Sequence, residues 1–379
     1  MSETARFLSD TDRDFTRRAS VAQVLHIDLW LLLPILAVMF AGLWVLYSAS
    51  DADWDTVLRH LRNQIIAFVA MLIVARFRPD TVRRLGPMAF ASVVLLLVLV
   101  PLVGVGAKGA QRWLSLGFIR FQPSELMKLA MPVMVAWWLT RKALPPRFGA
   151  VMVAFALVMA PSALIAIQPD LGTSLLIAAS GLFVVFVAGI PWRFIATVAA
   201  VALASLWPAW QYLLKDYQRQ RVLTLLNPEA DRLGAGWNII QSKTAIGSGG
   251  WGGKGWLEGT QSHLDFLPES QTDFIIAVLA EEFGFVGVLL LLTMYLVIIV
   301  RGLLISLNAQ SAFGRLLAAA LTLTFFVYVF VNMGMVAGIL PVVGVPLPLI
   351  SFGGTSMVTL MVGFGLLMAI STERRMLSR

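Results

Sequence analysis

The sequence predicts an all-α polytopic integral membrane protein, and two features of its composition carry this prediction. Hydrophobic residues make up 59% of the 379 residues and charged residues 13%, a balance that a soluble domain of this size could not bury. The apolar residues are also gathered into ten stretches of about 20 residues, the length that a helix needs to cross a bilayer. We therefore expect ten transmembrane helices, with both ends of the chain on one side.

Seven of the predicted spans follow one another closely, and a long polar segment separates them from the last three. They cover residues 27–49, 57–75, 87–105, 123–140, 148–167, 171–189, 194–214, 274–300, 313–340 and 350–370. The predicted organisation is an N-terminal cytoplasmic segment at 1–26, a ten-helix membrane domain at 27–370 that includes an extracytoplasmic loop at 215–271, and a cytoplasmic tail at 371–379.

The basic residues predict the orientation of these spans. Seventeen of the 29 Lys and Arg residues lie at one set of span ends, among them Arg76, Arg141 and Arg315. Because short cytoplasmic loops retain Lys and Arg, we expect both termini in the cytoplasm and the long loop on the outer side. The same bias accounts for much of the net charge of +8, so the charge predicts no nucleic-acid partner.

The long loop is the most polar part of the chain between spans. It is rich in glycine, contains the cations Arg219, Arg221, Lys243 and Lys254, and leads into Asp273. Since the chain has no cysteine, no disulfide can order the loop, and its order must come from packing on the helices or on a partner. Residues 237–243 are compatible with a short amphipathic helix at the membrane interface.

Generic motifs in the loop do not predict a nucleotide or metal site. Residues 247–252 (GSGGWG) match a dinucleotide-binding pattern, but no βαβ unit surrounds them. The residues around Lys254 lack the rest of a phosphate-binding Walker loop. His26, His60 and His263 are too widely spaced for a zinc-like cage, so we predict no metal ion held by protein side chains alone.

Two charged residues lie within the fourth predicted span. Glu125 and Lys128 are three residues apart and share one helical face. They have a structural interpretation, as an acid in the first helical turn with its ion-pair partner. They also have a functional one, because charges in hydrocarbon normally pair or line a cavity.

Two further polar positions allow alternative interpretations. Asp170 follows Pro169 at the start of the sixth span, where it could cap the helix or take part in chemistry. Trp113, in a short outward loop, could anchor the chain at the membrane interface or stack on a sugar ring or lipid head group.

Asp273 has a setting that favours chemistry over a plain acid at a helix N-terminus. It lies at the outward end of the eighth span, directly after the basic loop. Transfer from a diphosphate-linked sugar requires cations to hold the leaving group and a carboxylate to take a proton from the attacking hydroxyl. Asp273 and the loop cations could supply both.

At these positions the chain closely resembles the SEDS family, the shape, elongation, division and sporulation proteins. The matching segments are 110–114 (AQRWL), 121–128 (FQPSELMK), 168–173 (QPDLGT), 233–238 (LGAGWN), 247–250 (GSGG), 266–269 (FLPE), 272–274 (TDF) and 344–356 (GVPLPLISFGGTS). They span nearly the whole chain, and together they are specific. Residues 216–221 (DYQRQR) and 352–354 (FGG) favour the rod-shape branch over the division branch.

The resemblance implies a peptidoglycan glycosyltransferase of the bacterial inner membrane that polymerises lipid II and releases undecaprenyl diphosphate. It implies a class B penicillin-binding protein, a transpeptidase, as partner. It places Asp273 on the family's essential outward aspartate, Glu125 and Lys128 on its charged pair, Trp113 on its loop tryptophan and Asp170 on the aspartate of its Gln-Pro-Asp-Leu-Gly turn.

The mechanism we expect uses Asp273 as the general base for one inverting displacement, which needs no second carboxylate. Arg219, Arg221, Lys243 and Lys254 are candidates for binding the diphosphate. No cofactor is required, although a divalent cation, Mg²⁺ or Mn²⁺, could share that task. The competing functions are a flippase for the same lipid, a division-type paralogue and a scaffold that only positions a transpeptidase.

Overall fold

The computed structural model describes residues 26–107, 110–115, 120–214, 216–231, 235–263 and 269–373. The predicted terminal segments therefore fall almost entirely outside the described residues, as do parts of the predicted loop. Within the described ranges the α-helices, numbered in chain order, are α1 Leu29–Ala49, α2 Trp54–Ala75, α3 Pro79–Val103, α4 Pro123–Leu139, α5 Phe148–Ile167, α6 Leu171–Val187, α7 Trp192–Pro208, α8 Asp216–Leu226, α9 Ala235–Gly249, α10 Thr260–His263, α11 Ile275–Asn308, α12 Ala312–Val336 and α13 Gly354–Ser371.

The helical, polytopic membrane architecture is confirmed. Eight of the described helical segments are long and apolar enough to cross a bilayer: α1, α2, α3, α5, α7 with the π-helical turn that follows it, α11, α12 and α13. Helices α4 and α6 contain 17 residues each. Every predicted span coincides with one of these ten helices.

The boundaries of several helices differ from the sequence prediction. Helix α3 begins at Pro79, eight residues early, because proline is well suited to the first helical turn. Helix α12 ends at Val336 and α13 begins at Gly354, so the connection between them is longer than predicted. Pro341, Pro346 and Pro348 lie in this connection, which we call the 337–353 loop, and proline disfavours helix at its own and the preceding position.

A small antiparallel sheet adds to the helical architecture between α3 and α4. Its strands, β1 Val105–Ala107, β2 Ala110–Ser115 and β3 Arg120–Phe121, follow the order β1-β2-β3. Leu114 of β2 pairs with Phe121 and is buried. These strands are much shorter than a membrane span, so the composition of the sequence did not reveal them.

A described part of the long polar loop, residues 235–249, packs against the helix bundle. Helix α9, twice as long as the predicted 237–243 segment, packs on α11 and buries Ile239 and Ala245. The buried Ser242 donates a hydrogen bond to the carbonyl of Val336 in α12 at 2.9 Å. This part of the loop therefore packs on the helices, which is one of the two sources of order expected from the sequence.

Helix α11 is broken at Gly284, and the loop binds to the break. Gly284 has φ +63°, outside helical values, a conformation that favours glycine. Beside it, Lys254 N donates to the Glu281 carbonyl at 3.0 Å and Phe285 N donates to the Gly250 carbonyl at 2.9 Å. Main-chain hydrogen bonds therefore attach residues 250–255 to α11.

The start of α1 and the end of α13 meet at a polar cluster near the end of α11. The Asp28 carboxylate accepts hydrogen bonds from Arg301 Nε at 3.1 Å and Nη2 at 2.6 Å, and from Ser371 Oγ at 2.5 Å. His26 Nδ1 lies 3.1 Å from Thr372 Oγ1. These contacts place the two ends of the helical region on the same side of the molecule.

Candidate active site

Asp273 lies in the turn at residues 269–273, immediately before α11. Its side chain is partly buried, and its main-chain carbonyl accepts a hydrogen bond from Asn332 of α12. The carbonyls of the two preceding residues, 271 and 272, accept hydrogen bonds from Phe352 and Ser351 of the 337–353 loop. The turn that presents Asp273 is therefore held by elements that lie far from it in the sequence.

The 337–353 loop passes close to the Asp273 carboxylate. A methyl group added at Gly344 would lie 3.4 Å from Asp273 Oδ2. Gly344 also has φ +78°, so any other residue there would be both strained and close to the carboxylate. Glycine keeps the space around the Asp273 side chain clear.

Glu125 and Lys128 line a cavity inside the bundle. Lys128 Nζ lies 2.6 Å from Glu125 Oε1, and both side chains are nearly buried. Lys128 Nζ also lies 4.7 Å from the centre of the Tyr328 ring, within the range of a cation–π interaction. The cavity has a volume of about 70 Å³, and its wall includes residues 346–349 and Ser351 of the 337–353 loop.

Helix α12 connects the Asp273 turn with this cavity. Asn332 binds the main chain of Asp273, and Tyr328 contacts Lys128. These two α12 residues are four apart, which is about 6 Å along a helix and on the same face. The 337–353 loop also connects the Asp273 turn with the cavity, because Gly344 lies near the Asp273 carboxylate and residues 346–349 line the cavity. The Asp273 turn and the ion pair are therefore linked by one helix and one loop.

Asp170 has the geometry of a helix cap. Its Oδ1 accepts a hydrogen bond from Thr173 N at 3.3 Å, and its Oδ2 accepts one from Gln122 Nε2 at 3.1 Å and lies 3.6 Å from Arg112 Nη1. Asp170 thus joins the starts of α4 and α6 to β2. These contacts favour the capping interpretation over direct chemistry.

Trp113 follows Arg112 on β2 and is partly buried. Because side chains alternate across a strand, Trp113 faces away from the side that buries Leu114. The strand gives this tryptophan a more rigid support than the loop that the sequence predicted. Its two interpretations, interfacial anchor and stacking surface, both remain predictions.

Lys254 is bound to a buried carboxylate. Its Nζ lies 2.6 Å from Oε1 of Glu281, whose side chain is fully buried. The same carboxylate accepts hydrogen bonds from the Thr260 amide at 2.9 Å and the Gln261 amide at 3.1 Å. This arrangement gives Lys254 a structural partner, and its predicted contact with diphosphate stays a prediction.

The other three predicted cations have different surroundings. Arg219 donates to a main-chain carbonyl at the end of the α7 segment at 2.9 Å, and Arg221 is exposed on α8. Lys243 lies on α9 with its ammonium against Gly338, where an added methyl group would be 2.7 Å from Nζ. Lys243 therefore contacts the same 337–353 loop that passes the Asp273 carboxylate.

Sequence reasoning missed three residues of this region: Asn332, Tyr328 and Glu281. Asn332 is fully buried, and an uncharged amide in the middle of a predicted span was the signal that could have identified it. Glu281 could have been identified in the same way, because it is an acidic residue within a predicted apolar span. Among the described residues, no three His, Cys, Asp or Glu side chains come together as a metal site would require.

Comparison with known proteins shows the family of this chain. The profile of the FtsW/RodA/SpoVE family of cell cycle proteins matches residues 22–376. The peptidoglycan glycosyltransferase MrdB of Escherichia coli strain K12 is 52% identical over 355 residues, which cover 93% of this chain and 96% of MrdB. This chain therefore belongs to the FtsW/RodA/SpoVE family, the SEDS family that the motifs indicated.

Two solved structures have the same fold. One is a chain from a peptidoglycan synthase complex that coordinates polymerization and crosslinking, with a TM-score of 0.80 and 31% identity over 91% of this chain and 97% of that one. The other is the rod shape determining protein RodA of Thermus thermophilus, with a TM-score of 0.68 and 27% identity over 91% of this chain and 96% of RodA. The similarity to MrdB and RodA agrees with the rod-shape branch.

Proposed function

We propose that this chain, a peptidoglycan glycosyltransferase of rod-shape elongation, polymerises lipid II with Asp273 as the general base. The observation that carries the assignment of Asp273 is its position: it is a partly buried carboxylate whose main chain is held by Asn332, one helical turn from Tyr328 in the wall of a cavity lined by an ion pair. An ionisable group held in this way at the end of a membrane helix is expected at a reaction site.

The proposed reaction is a single displacement. Asp273 takes the proton of the acceptor sugar's 4-hydroxyl while that oxygen forms a bond to the anomeric carbon of the lipid-linked strand. The bond from that carbon to the diphosphate breaks, and its electron pair leaves with undecaprenyl diphosphate. The proton then passes from Asp273 to solvent. The α-linked donor gives a β-1,4 link by inversion.

The charges around Asp273 have complementary roles in this proposal. Lys243, which contacts the 337–353 loop, is the best-placed of the predicted cations for the leaving diphosphate, and Arg219 and Arg221 on α8 are the next candidates. Glu125 and Lys128 shape the deeper part of the site. A divalent cation, Mg²⁺ or Mn²⁺, would take most of its ligands from phosphate oxygens, because the described residues offer no cluster of ligands.

The proposed topology has ten spans in the bacterial inner membrane. It adds α4 and α6 to the eight long apolar helices, since α4 packs against α3 and α6 packs against α5 and α12. The contact between His26 and Thr372 supports an even number of crossings. The distribution of Lys and Arg then favours cytoplasmic termini and a periplasmic loop.

A class B penicillin-binding protein is the proposed partner. One of the similar chains belongs to a complex that coordinates polymerization with crosslinking, and a growing glycan strand is the substrate that a transpeptidase requires. Membrane lipids surround the rest of the helical surface, where large apolar side chains are exposed.

Polymer formation from purified lipid II in detergent tests the proposed function. We expect the chain, alone or with its transpeptidase partner, to form glycan polymer and Asp273→Ala or Asp273→Asn to form none. Folding should change little, because a lost contact with a helix dipole costs about 0.3 to 1 kcal/mol. Substantial polymer from well-folded Asp273→Ala would remove the general-base assignment.

The same assay separates the competing functions. A flippase needs a membrane to act across, so it would form no polymer in detergent. A scaffold would form polymer only when another polymerase is present. Polymer that depends on Asp273 therefore excludes both.

A further inference from the structure

Three successive main-chain carbonyls lead up to α11, and each is bound by a donor from elsewhere in the chain. The donors come from α12 and the 337–353 loop, and we call them the carbonyl clamp. The bonds are Phe352 N to Gln271 O at 2.9 Å, Ser351 Oγ to Thr272 O at 2.5 Å and Asn332 Nδ2 to Asp273 O at 2.9 Å.

The two side chains of the clamp are themselves fixed. Asn332 is fully buried, and its Nδ2 also donates to the Val345 carbonyl at 2.7 Å. Ser351 is buried, and its hydroxyl also accepts a hydrogen bond from Leu347 N at 2.7 Å. Hydrogen bonds in such a water-poor interior are stronger than in water, and a network with several bonds is more rigid than a single contact.

The clamp differs from an N-cap, because it binds the carbonyls before α11 and not the amides of its first turn. Most helices are fixed at their N-terminus by a side chain of the N-cap residue, but Phe274, the N-cap of α11, has no hydrogen-bonding group to supply. Besides Ser270, whose hydroxyl donates to the Ala49 carbonyl at 3.3 Å, the clamp orients the preceding turn and the Asp273 side chain on it, and Asn332 and Ser351 are its two side chains. A displacement of about 1 Å in a reacting group can cost roughly 100-fold in rate.

We propose that Asn332 and Ser351 are positioning residues for glycosyl transfer, which fix the main chain of the Asp273 turn so that its carboxylate faces the acceptor hydroxyl. This inference rests on the proposed function of Asp273. Both residues act through the main chain of the turn: Ser351 also lines the cavity, but its hydroxyl is used by Leu347 N and the Thr272 carbonyl. Their substitution should therefore lower kcat and leave KM for lipid II unchanged.

The test compares Asn332→Leu and Ser351→Ala with the unchanged chain, each as the full-length protein with its transpeptidase partner. We expect kcat per folded molecule to fall roughly 10- to 100-fold. Ser351→Thr retains the hydroxyl and should retain most of the activity. The matched control is Ser306→Ala, because Ser306 is also a buried serine that donates to a carbonyl, that of Arg315 at 2.8 Å, near the opposite end of α11.

Thermal unfolding of each variant separates positioning from stability. Normal kcat per folded molecule in both Asn332→Leu and Ser351→Ala would overturn the inference, even if the yield of folded protein fell. If Asn332→Leu does not fold, the comparison of Ser351→Ala with Ser351→Thr decides, and equal activity of those two would overturn it. Activity that survives Asp273→Ala would instead overturn the proposed function, so the two failures are distinguishable.

Discussion

At the scale of single residues, the ion pair of Glu125 and Lys128 is the clearest case of a group with two roles. Its short distance of 2.6 Å and its burial agree with the structural interpretation. Its position in the wall of the cavity agrees with the functional one. The two roles are separable, because a structural role requires only that no charge is left without a partner, whereas a role in the site requires the charges themselves.

We predict that Glu125→Gln and Lys128→Met each destabilise the protein, by about 3 to 5 kcal/mol, because each leaves one buried charge unpaired. The double variant should recover much of that stability and still form no polymer. Thermal unfolding and the polymer assay measure the two effects, with Ser162→Ala in α5 as a control for a buried polar change elsewhere. Normal stability of Glu125→Gln together with lost polymer would assign the pair to the substrate site alone.

At the scale of elements, the break in α11 is an attachment point for the polar loop. Glu281 accepts hydrogen bonds from Lys254, Thr260 and Gln261, while main-chain bonds join residues 250–255 to the broken turn. Burial of a carboxylate without these hydrogen-bond donors would be costly, so each donor contributes to holding the loop on α11. The Lys254–Glu281 pair therefore joins this part of the loop to α11.

We predict that Lys254→Met and Glu281→Gln increase hydrogen exchange across residues 250–261 to a similar extent. The double variant should show little further change, because both substitutions break the same network. Thr244→Ala, at an exposed position on α9, serves as the control. If Lys254→Met abolishes polymer formation with unchanged exchange, then Lys254 acts on the substrate and its structural role is secondary.

At the scale of the whole molecule, the polar cluster around Asp28 joins three helices at the end away from the site. Arg301 forms two hydrogen bonds with the Asp28 carboxylate, and Ser371 adds a third from α13. Arg301 lies 28 residues after Asp273, about 40 Å along α11. A defect here should therefore affect the assembly of the bundle without affecting the chemistry.

We predict that Asp28→Asn lowers the free energy of unfolding by about 1.5 to 3 kcal/mol, the usual value of hydrogen bonds to a charged group. Thermal unfolding in detergent measures this loss. The kcat per folded molecule should equal that of the unchanged chain. A selective loss of kcat would contradict this prediction, because it would show that the Asp28 cluster is coupled to the Asp273 turn along α11.

The sequence by itself determined the class of protein and much of the residue set of the site. Span positions follow from composition along the chain, because each transmembrane helix satisfies its own main-chain groups and needs only a local run of apolar residues. Asp273, Glu125 and Lys128 were identified for a related reason. A charged side chain within or beside an apolar span is energetically unfavourable in hydrocarbon, so its presence in the sequence indicates a specific role. The motifs then identified the family.

The tertiary structure decided how these residues meet. Asn332 binds Asp273 across 59 residues, and Lys254 binds Glu281 across 27. No periodicity in the sequence encodes such contacts, because they arise when separate helices and the 337–353 loop pack together. Packing made Lys254 the partner of a buried carboxylate and Asn332 a support for Asp273. Charge and residue type suggested neither role, since both depend on which groups are buried next to each other.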